Sequence, residues 1–422
     1  MEDRPLPEDV VATVLRRLPP RDLAVSRRVC KAWRAVVDES RTLRPDLLPL
    51  ALGGIFISLL REPAPPVLFS PPSMGPHKIA GKLQSFVKMD GGWDLPTIIG
   101  SCNGLLFLND QVANPATRQW APVPLCPVGW DVYNHKGEVY FVFDPFVSPH
   151  YQVLFVQDPY DLLEEESEWP ASTYAMWIYS SGTGRWEEKP FVREGGPAGT
   201  VAEERSARVH DYLHSVYWRE ALYVHCNNDF IMLITISDLK YEVIKLPAGV
   251  SSSVDLDLHL VKSKNGVYFA SVVGQCQLRV WFLNELCEWV LKYDINLQAV
   301  PAHFSRDHDR PVDKPWILHY GKYNNREATA EGVSDWDSDN DNVIQIDDTE
   351  GKCDLSQFIC IFGFHPYKEV AILYLPNNDR VVACHLDSLK IQDLGQLRWG
   401  FRSLIESTKP DLLGSETWNE MM

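Results

Sequence analysis

The 422-residue chain has no Asn-x-Ser/Thr sequon and no Cys-x-x-Cys pair, and its nine cysteines, scattered from Cys30 to Cys384, are odd in number. A disulfide framework needs paired cysteines and a zinc ribbon needs closely spaced ones, so neither is expected. The pattern fits a reducing compartment, cytoplasmic and/or nuclear. Long hydrophobic runs are also missing. The longest, LALGGIFISLL at residues 50–60, falls far short of the ~20 residues that span a bilayer. The opening MEDRPLPED has no apolar core of the kind a secretion signal needs. Net positive charge is absent, with 40 Lys+Arg against 57 Asp+Glu, a formal −17. Nucleic acid and anionic membrane need clustered Lys and Arg, so neither is expected as a main partner. No phosphate loop, dinucleotide fingerprint or nucleophile elbow occurs, and the histidines show no ligand spacing. No catalytic residue, cofactor or metal is therefore expected.

The first 50 residues stand apart. They hold 10 basic and 8 acidic residues, net +2, which leaves −19 for the remainder. Val10, Val11, Val14, Leu15 and Leu18 recur at steps of three and four, which predicts an amphipathic helix over residues 8–18. Pro19-Pro20 ends it, because proline lacks the donor and clashes with the preceding turn. A short helix over 21–26, anchored by Leu23 and Val25, and a third over 27–38 follow. The third would bury Val29, Cys30, Trp33, Val36 and Val37. Three helices in about 40 residues make a weak core, which reads either as a helical cap on a larger domain, favoured by periodicity alone, or as a module that a partner completes.

The order Leu6-Pro7-Glu8-Asp9, Leu15, Leu18-Pro19, Asp22-Leu23, Arg28-Val29-Cys30-Lys31 and Trp33-Arg34 closely resembles the F-box, over residues 5 to about 45. The resemblance implies docking to the Skp-type adaptor, and through it to cullin, in a Skp–cullin–F-box ubiquitin ligase. Carried over residue by residue, Leu6, Pro7, Leu15, Leu18, Pro19, Leu23, Val29, Cys30 and Trp33 would contact the adaptor or shape the docking face. Sequence does not separate those that touch the partner from those that fill the module.

From about residue 50 short Val/Ile/Tyr/Trp-rich runs alternate with Gly, Pro, Asn and Asp clusters, the pattern of an all-β domain. A strand–turn–return unit recurs. It ends at Trp120, Trp186, Tyr241, Trp289 and Ile391, with steps of 66, 55, 48 and 102. The last step is close to two units, as if one copy were degenerate or interrupted. A period near 50 residues with about four strands per unit is that of a kelch-like β-propeller. About seven blades fit residues 50–400, and one or two β-sandwiches are the alternative. Trp120, Trp186 and Trp289 read as blade-packing anchors. Asn114-Pro115 and Gly182-Thr183-Gly184 read as hairpin turns.

This body resembles the domain that follows the F-box in the large plant F-box families. The matching places are Gly100-Ser101-Cys102-Asn103-Gly104-Leu105, Asn114-Pro115-Ala116-Thr117, Val142-Phe143-Asp144-Pro145 with Tyr151, Gln152 and Val153, and Phe364-His365-Pro366-Tyr367-Lys368-Glu369. Insertions at 157–172 and 303–354 depart from that pattern. Asp337, Asp339 and Asp341 imitate a calcium loop. Asn342 replaces its glycine and Asp348 its glutamate, so a solvated disordered insertion is expected instead. Glu164-Glu165-Glu166 with Glu168 reads as another solvated loop. His365 reads as a turn residue and Lys368 as a solvated lysine.

The expected architecture is thus mainly β with a small α module: a three-helix F-box (1–45), a propeller-like substrate domain (50–400) and a tail (401–422). The expected function is a non-catalytic ubiquitin-ligase receptor for a protein client of unknown identity. The alternative is a carbohydrate- or metabolite-binding propeller, or a propeller enzyme, capped by helices.

Overall fold

The computed structural model describes residues 8–15, 52–59, 65–72, 96–128, 137–206, 215–226, 229–248, 258–306, 315–319, 339–344, 358–397 and 408–414, apart from 146 and 264, with isolated positions within 26–36 and 83–87 and at 250 and 312. The described chain is almost entirely antiparallel sheet. Blade I is Ile98–Cys102, Leu105–Leu108, Gln111–Asn114 and Gln119–Pro122. An eight-stranded sheet divides into two four-stranded blades. Blade II is Gly137–Val142, Gln152–Gln157, Thr173–Ser180 and Arg185–Glu194; blade III is Ser215–Trp218, Ala221–Cys226, Phe230–Thr235 and Lys240–Lys245. Only a short parallel pairing of residues 192–194 with 240–242 joins them. Blade IV is Leu258–Ser263, Gly266–Val273, Gln277–Leu283 and Trp289–Asn296. Blade V is Cys360–Phe364, Val370–Leu375, Arg380–His385 and Ile391–Gln396, extended by Val343–Ile344. Blade VI is assembled from distant parts of the chain: Thr408–Gly414, Leu52–Leu59, Val67–Ser70 and Ile317–His319.

Strand periodicity explains why these sheets need each other. Successive side chains leave a strand on opposite faces. In Val370–Leu375, Ala371, Leu373 and Leu375 join a core shared with blade IV. Val370, Ile372 and Tyr374 join a different core, shared with blade VI. In Gly266–Val273, Tyr268, Ala270 and Val272 pack towards blade V, while Val267 and Phe269 pack towards blade III. Strands buried on both faces read as unbroken apolar runs. Six such cores are found, one between each pair of neighbouring blades: I–II, II–III, III–IV, IV–V, V–VI and VI–I. The cores therefore close a ring. Each fully buried Leu, Ile or Phe contributes about 1.5–3 kcal/mol, and no blade could collect that alone.

The described residues hold six blades, not the seven expected. The recurring anchors explain the miscount. Trp120, Tyr241, Trp289, Trp186 and Ile391 all stand at or next to the start of a fourth strand, in blades I to V. Among the described residues the step of 102 holds no degenerate blade. It spans a helix (Ala299–Arg306) that packs Val300 and Phe304 on the IV–V core, the outer strand of blade VI, and Val343–Ile344. Residues 339–344 are therefore folded onto blade V, not free as expected of an acidic insertion. The sheet also runs past residue 400. Residues 408–414, read from sequence as part of a tail, pair along the whole of Leu52–Leu59 and bind the first and last described strands into one blade.

Of the three helices expected in residues 1–45, the structure describes the first, Glu8–Leu15. Ser26, Ala32, Trp33 and Val36 are helical positions without a described helix around them. No described helix is long and apolar enough to cross a membrane.

Candidate docking sites

In the N-terminal module the apolar stripe divides. Val11 and Leu15, one turn apart, are buried with Val36, and Ala12 and Trp33 pack against them. Val10 and Val14, also one turn apart, are 40% and 51% exposed. Leu15 thus fills the module core, and Trp33 borders it. The third-helix expectation is corrected at two places. Val29 is 62% exposed and Cys30 is exposed, its Sγ accepting the Trp33 amide at 3.4 Å. Leu6, Pro7, Leu18, Pro19 and Leu23 lie outside the described residues. Among the described residues of the module, Val10, Val14 and Val29 are the large aliphatic side chains left exposed.

The propeller's three corner motifs gather at one end of the ring, where each first strand turns into the second. The Cys102 thiol donates to the Phe143 carbonyl (3.1 Å), and the Asn103 amide donates to the same oxygen (2.8 Å). This ties the blade I corner to the blade II corner. Asn103 has φ 46° and Gly104 φ 84°, so the turn favours these residue types. Between blades IV and V, the Ser263 hydroxyl lies 2.7 Å from the Lys368 carbonyl and 3.2 Å from that of His365. Glu369 then accepts from four donors on blade IV: Lys292 Nζ (2.5 Å), Asn265 Nδ2 (2.7 Å), Tyr268 OH (3.0 Å) and Tyr293 OH. Burial would raise its carboxyl; those donors outweigh burial and hold it at about 2. The Gly100–Leu105 and Phe364–Glu369 motifs thus latch neighbouring blades at their corners.

The other sequence candidates have structural work. His365 is buried and accepts the Tyr367 amide at Nδ1 (3.1 Å). Burial first, then the Lys368 charge and His385, push it down to about 3 against the opposing pull of Asp339. It is therefore neutral at physiological pH and unsuited to proton shuttling. Lys368 is not a free solvated lysine: it clasps both oxygens of Asp339, at 2.8 and 2.7 Å. Asp337 and Asp348 lie outside the described residues, and no group of three metal-ligating side chains is found among the described ones. The loop at Glu164–Glu168 is braced by Arg205–Glu165 (3.2 Å) and Arg193–Glu168 (2.8 Å). The tryptophan anchors act as expected. Trp186 Nε1 donates to Pro124 O (2.7 Å), just past the outer strand of blade I. Trp289 Nε1 repeats this on Lys245 O (3.0 Å) of blade III.

The F-box domain model matches residues 5–44. The model for the β-propeller of F-box proteins like At3g26010 matches residues 78–307, which is more than half the chain and spans blades I to IV. The chain belongs to this family. Blades V and VI complete the family's propeller here outside the matched span. Putative F-box protein At3g16210 of Arabidopsis thaliana is 25% identical over 259 residues, covering 59% of this chain and 63% of that protein. The chain thus spans under two thirds of that relative's length. Among solved structures it is similar to YCF48 bound to D1 peptide (TM-score 0.34, 7% identity, 82% of each chain). Apo AztD from Citrobacter koseri gives TM-score 0.33 and 11% identity over 76% of this chain and 75% of that one.

Proposed function

We propose that this family member is a substrate-receptor subunit of a Skp–cullin–F-box ubiquitin ligase, working in the cytoplasm and/or the nucleus. The supporting observation is an F-box match at residues 5–44 whose described part leaves Val10, Val14 and Val29 exposed beside a small closed core. An apolar helix face of this kind fits a partner's groove. The kelch-like six-bladed ring would hold the client on a rigid scaffold whose loops carry recognition. The chain itself contributes no bond-breaking residue. It acts by raising the local concentration of client lysines at the conjugating enzyme.

The test is capture of the full chain by a purified Skp-type adaptor. Val10→Asp with Val14→Asp should abolish capture without lowering the melting temperature of the propeller. Leu15→Asp, by contrast, would bury a charge in the module core and should unfold the module. Undiminished capture by the folded double variant would refute the assignment of this face.

A further inference from the structure

Blades I and IV lie opposite each other in a ring of six, yet one hydrogen bond joins them. Lys262 Nζ, next to the end of the first strand of blade IV, donates to Asn103 Oδ1 at the blade I corner, 2.8 Å away. The first strands line the ring's axis, so the ammonium bridges the mouth of the central channel. Asn103 is fixed for this task, because its own amide nitrogen is spent on Phe143 O.

The charge balance at Lys262 is unusual. Among the described residues, six lysines and arginines are buried or half-buried. Lys189, Arg193, Arg279, Lys368 and Arg380 each face a carboxylate, on Glu187, Glu168, Asp294, Asp339 and Asp393 respectively. Lys262 meets a neutral amide oxygen and, among the described residues, no carboxylate at ion-pair distance. A half-buried ammonium without a counter-charge is costly, and here it occurs in a chain of net charge −17. The neighbouring corners are held in place. The blade I corner is tied to blade II, and the Ser263 hydroxyl beside Lys262 is engaged with the blade V corner.

We infer that this end of the channel receives an acidic segment of the client polypeptide, with Lys262 taking one of its carboxylates and Asn103 Oδ1 holding the ammonium on the axis until it does. The inference deepens the receptor reading and rests on it. A basic client would meet an ammonium at the centre of the site, and like charges there are repelled.

The experiment selects random peptides displayed on phage against the full-length protein, the Lys262→Met variant and the Asn103→Asp variant. Asn103→Asp supplies the missing carboxylate from within, at the loss of the amide's hydrogen bond to Phe143 O, so its melting temperature is checked alongside. The wild type should enrich Asp- and Glu-containing peptides, and both variants should lose that enrichment. A synthetic peptide from the enriched set should bind Lys262→Met about tenfold more weakly, the loss expected for one charge-assisted contact. Enrichment of basic or neutral peptides, equal enrichment by the variants, or no enrichment would overturn the inference and leave Lys262 a strut across the ring. A phosphopeptide bound in place of its Asp/Glu counterpart would overturn the choice of carboxylate. Adaptor capture is measured on the same three proteins. Its failure in the wild type would sink the receptor reading alone; its retention in all three keeps the two questions separate.

Discussion

Glu369 offers a sharp test of how the blades are held. Its side chain is 15% exposed, and it gathers Lys292, Tyr293, Tyr268 and Asn265 across the IV–V boundary. Lys292 also lies 5.3 Å from the ring centroids of Tyr268 and Tyr293, so one cation serves the carboxylate and two aromatic faces. A carboxyl held at about 2 instead of the usual 4.5 corresponds to about 3 kcal/mol of stabilisation at neutral pH. That figure is an upper bound. Lys292 is one-third exposed, so water screens the pair. About 1–2 kcal/mol is the expected cost of Glu369→Gln, a fall of about 2–4 °C in melting temperature. The sign follows from the lowered folded-state value. The contribution is complete above the unfolded value near 4.5 and disappears as pH falls towards 2. Thermal melts of wild type and Glu369→Gln at pH 7, 5 and 3 should therefore converge as the pH drops. Lys292→Met combined with Glu369→Gln should cost less than the two singles added. A difference between wild type and Glu369→Gln that stays constant from pH 7 to pH 3, or additivity of the two changes, would refute the latch.

Two further outcomes test the ring. Arg380 and Asp393 pair at 2.8 Å inside blade V, both nearly inaccessible, so Arg380→Met should cost about 3–5 kcal/mol by stranding a buried carboxylate. Adding Asp393→Leu should recover much of that loss in urea melts. Removing residues 401–422 deletes Thr408–Gly414 and bares the edge of Leu52–Leu59; the truncated chain should melt lower and self-associate on size-exclusion chromatography. A monomeric fragment with the full-length melting temperature would show that the last strand does not close the ring.

What the sequence made legible follows from where each signal resides. The strand–turn–return unit is a local pattern, because the third strand, its hairpin and the fourth strand are contiguous in every blade from I to V. Its turn chemistry is local as well. Asn114 Oδ1 takes the amides of Ala116 and Thr117 at 3.0 and 3.2 Å. Gly184, at φ 67°, ends the hairpin of blade II. The blade count was not local. Blade VI is built from three stretches separated by some 250 and 90 residues, none of which carries the repeat on its own. A period read from anchors cannot register a unit with no anchor. It also took the long step before Ile391 for a missing blade.

The corner motifs show the complementary limit. Gly100–Leu105, Val142–Pro145 and Phe364–Glu369 could be read from the sequence, but not the chemistry that makes them useful. Asn103 matters because Phe143 O is 2.8 Å away across 40 positions and Lys262 Nζ is 2.8 Å away across 159. Glu369 matters because its donors come from another blade. Helical periodicity failed in the same way: steps of three and four placed Val10, Val11, Val14 and Leu15 together, and only packing against Val36 sorted Val11 and Leu15 inward from Val10 and Val14 outward. In each case the local pattern names the residues, and the partner far along the chain decides whether a residue is core, latch or contact. The surface proposed for the adaptor and the cation proposed for the client are thus both defined by what the fold leaves unsatisfied, the first in apolar area and the second in charge.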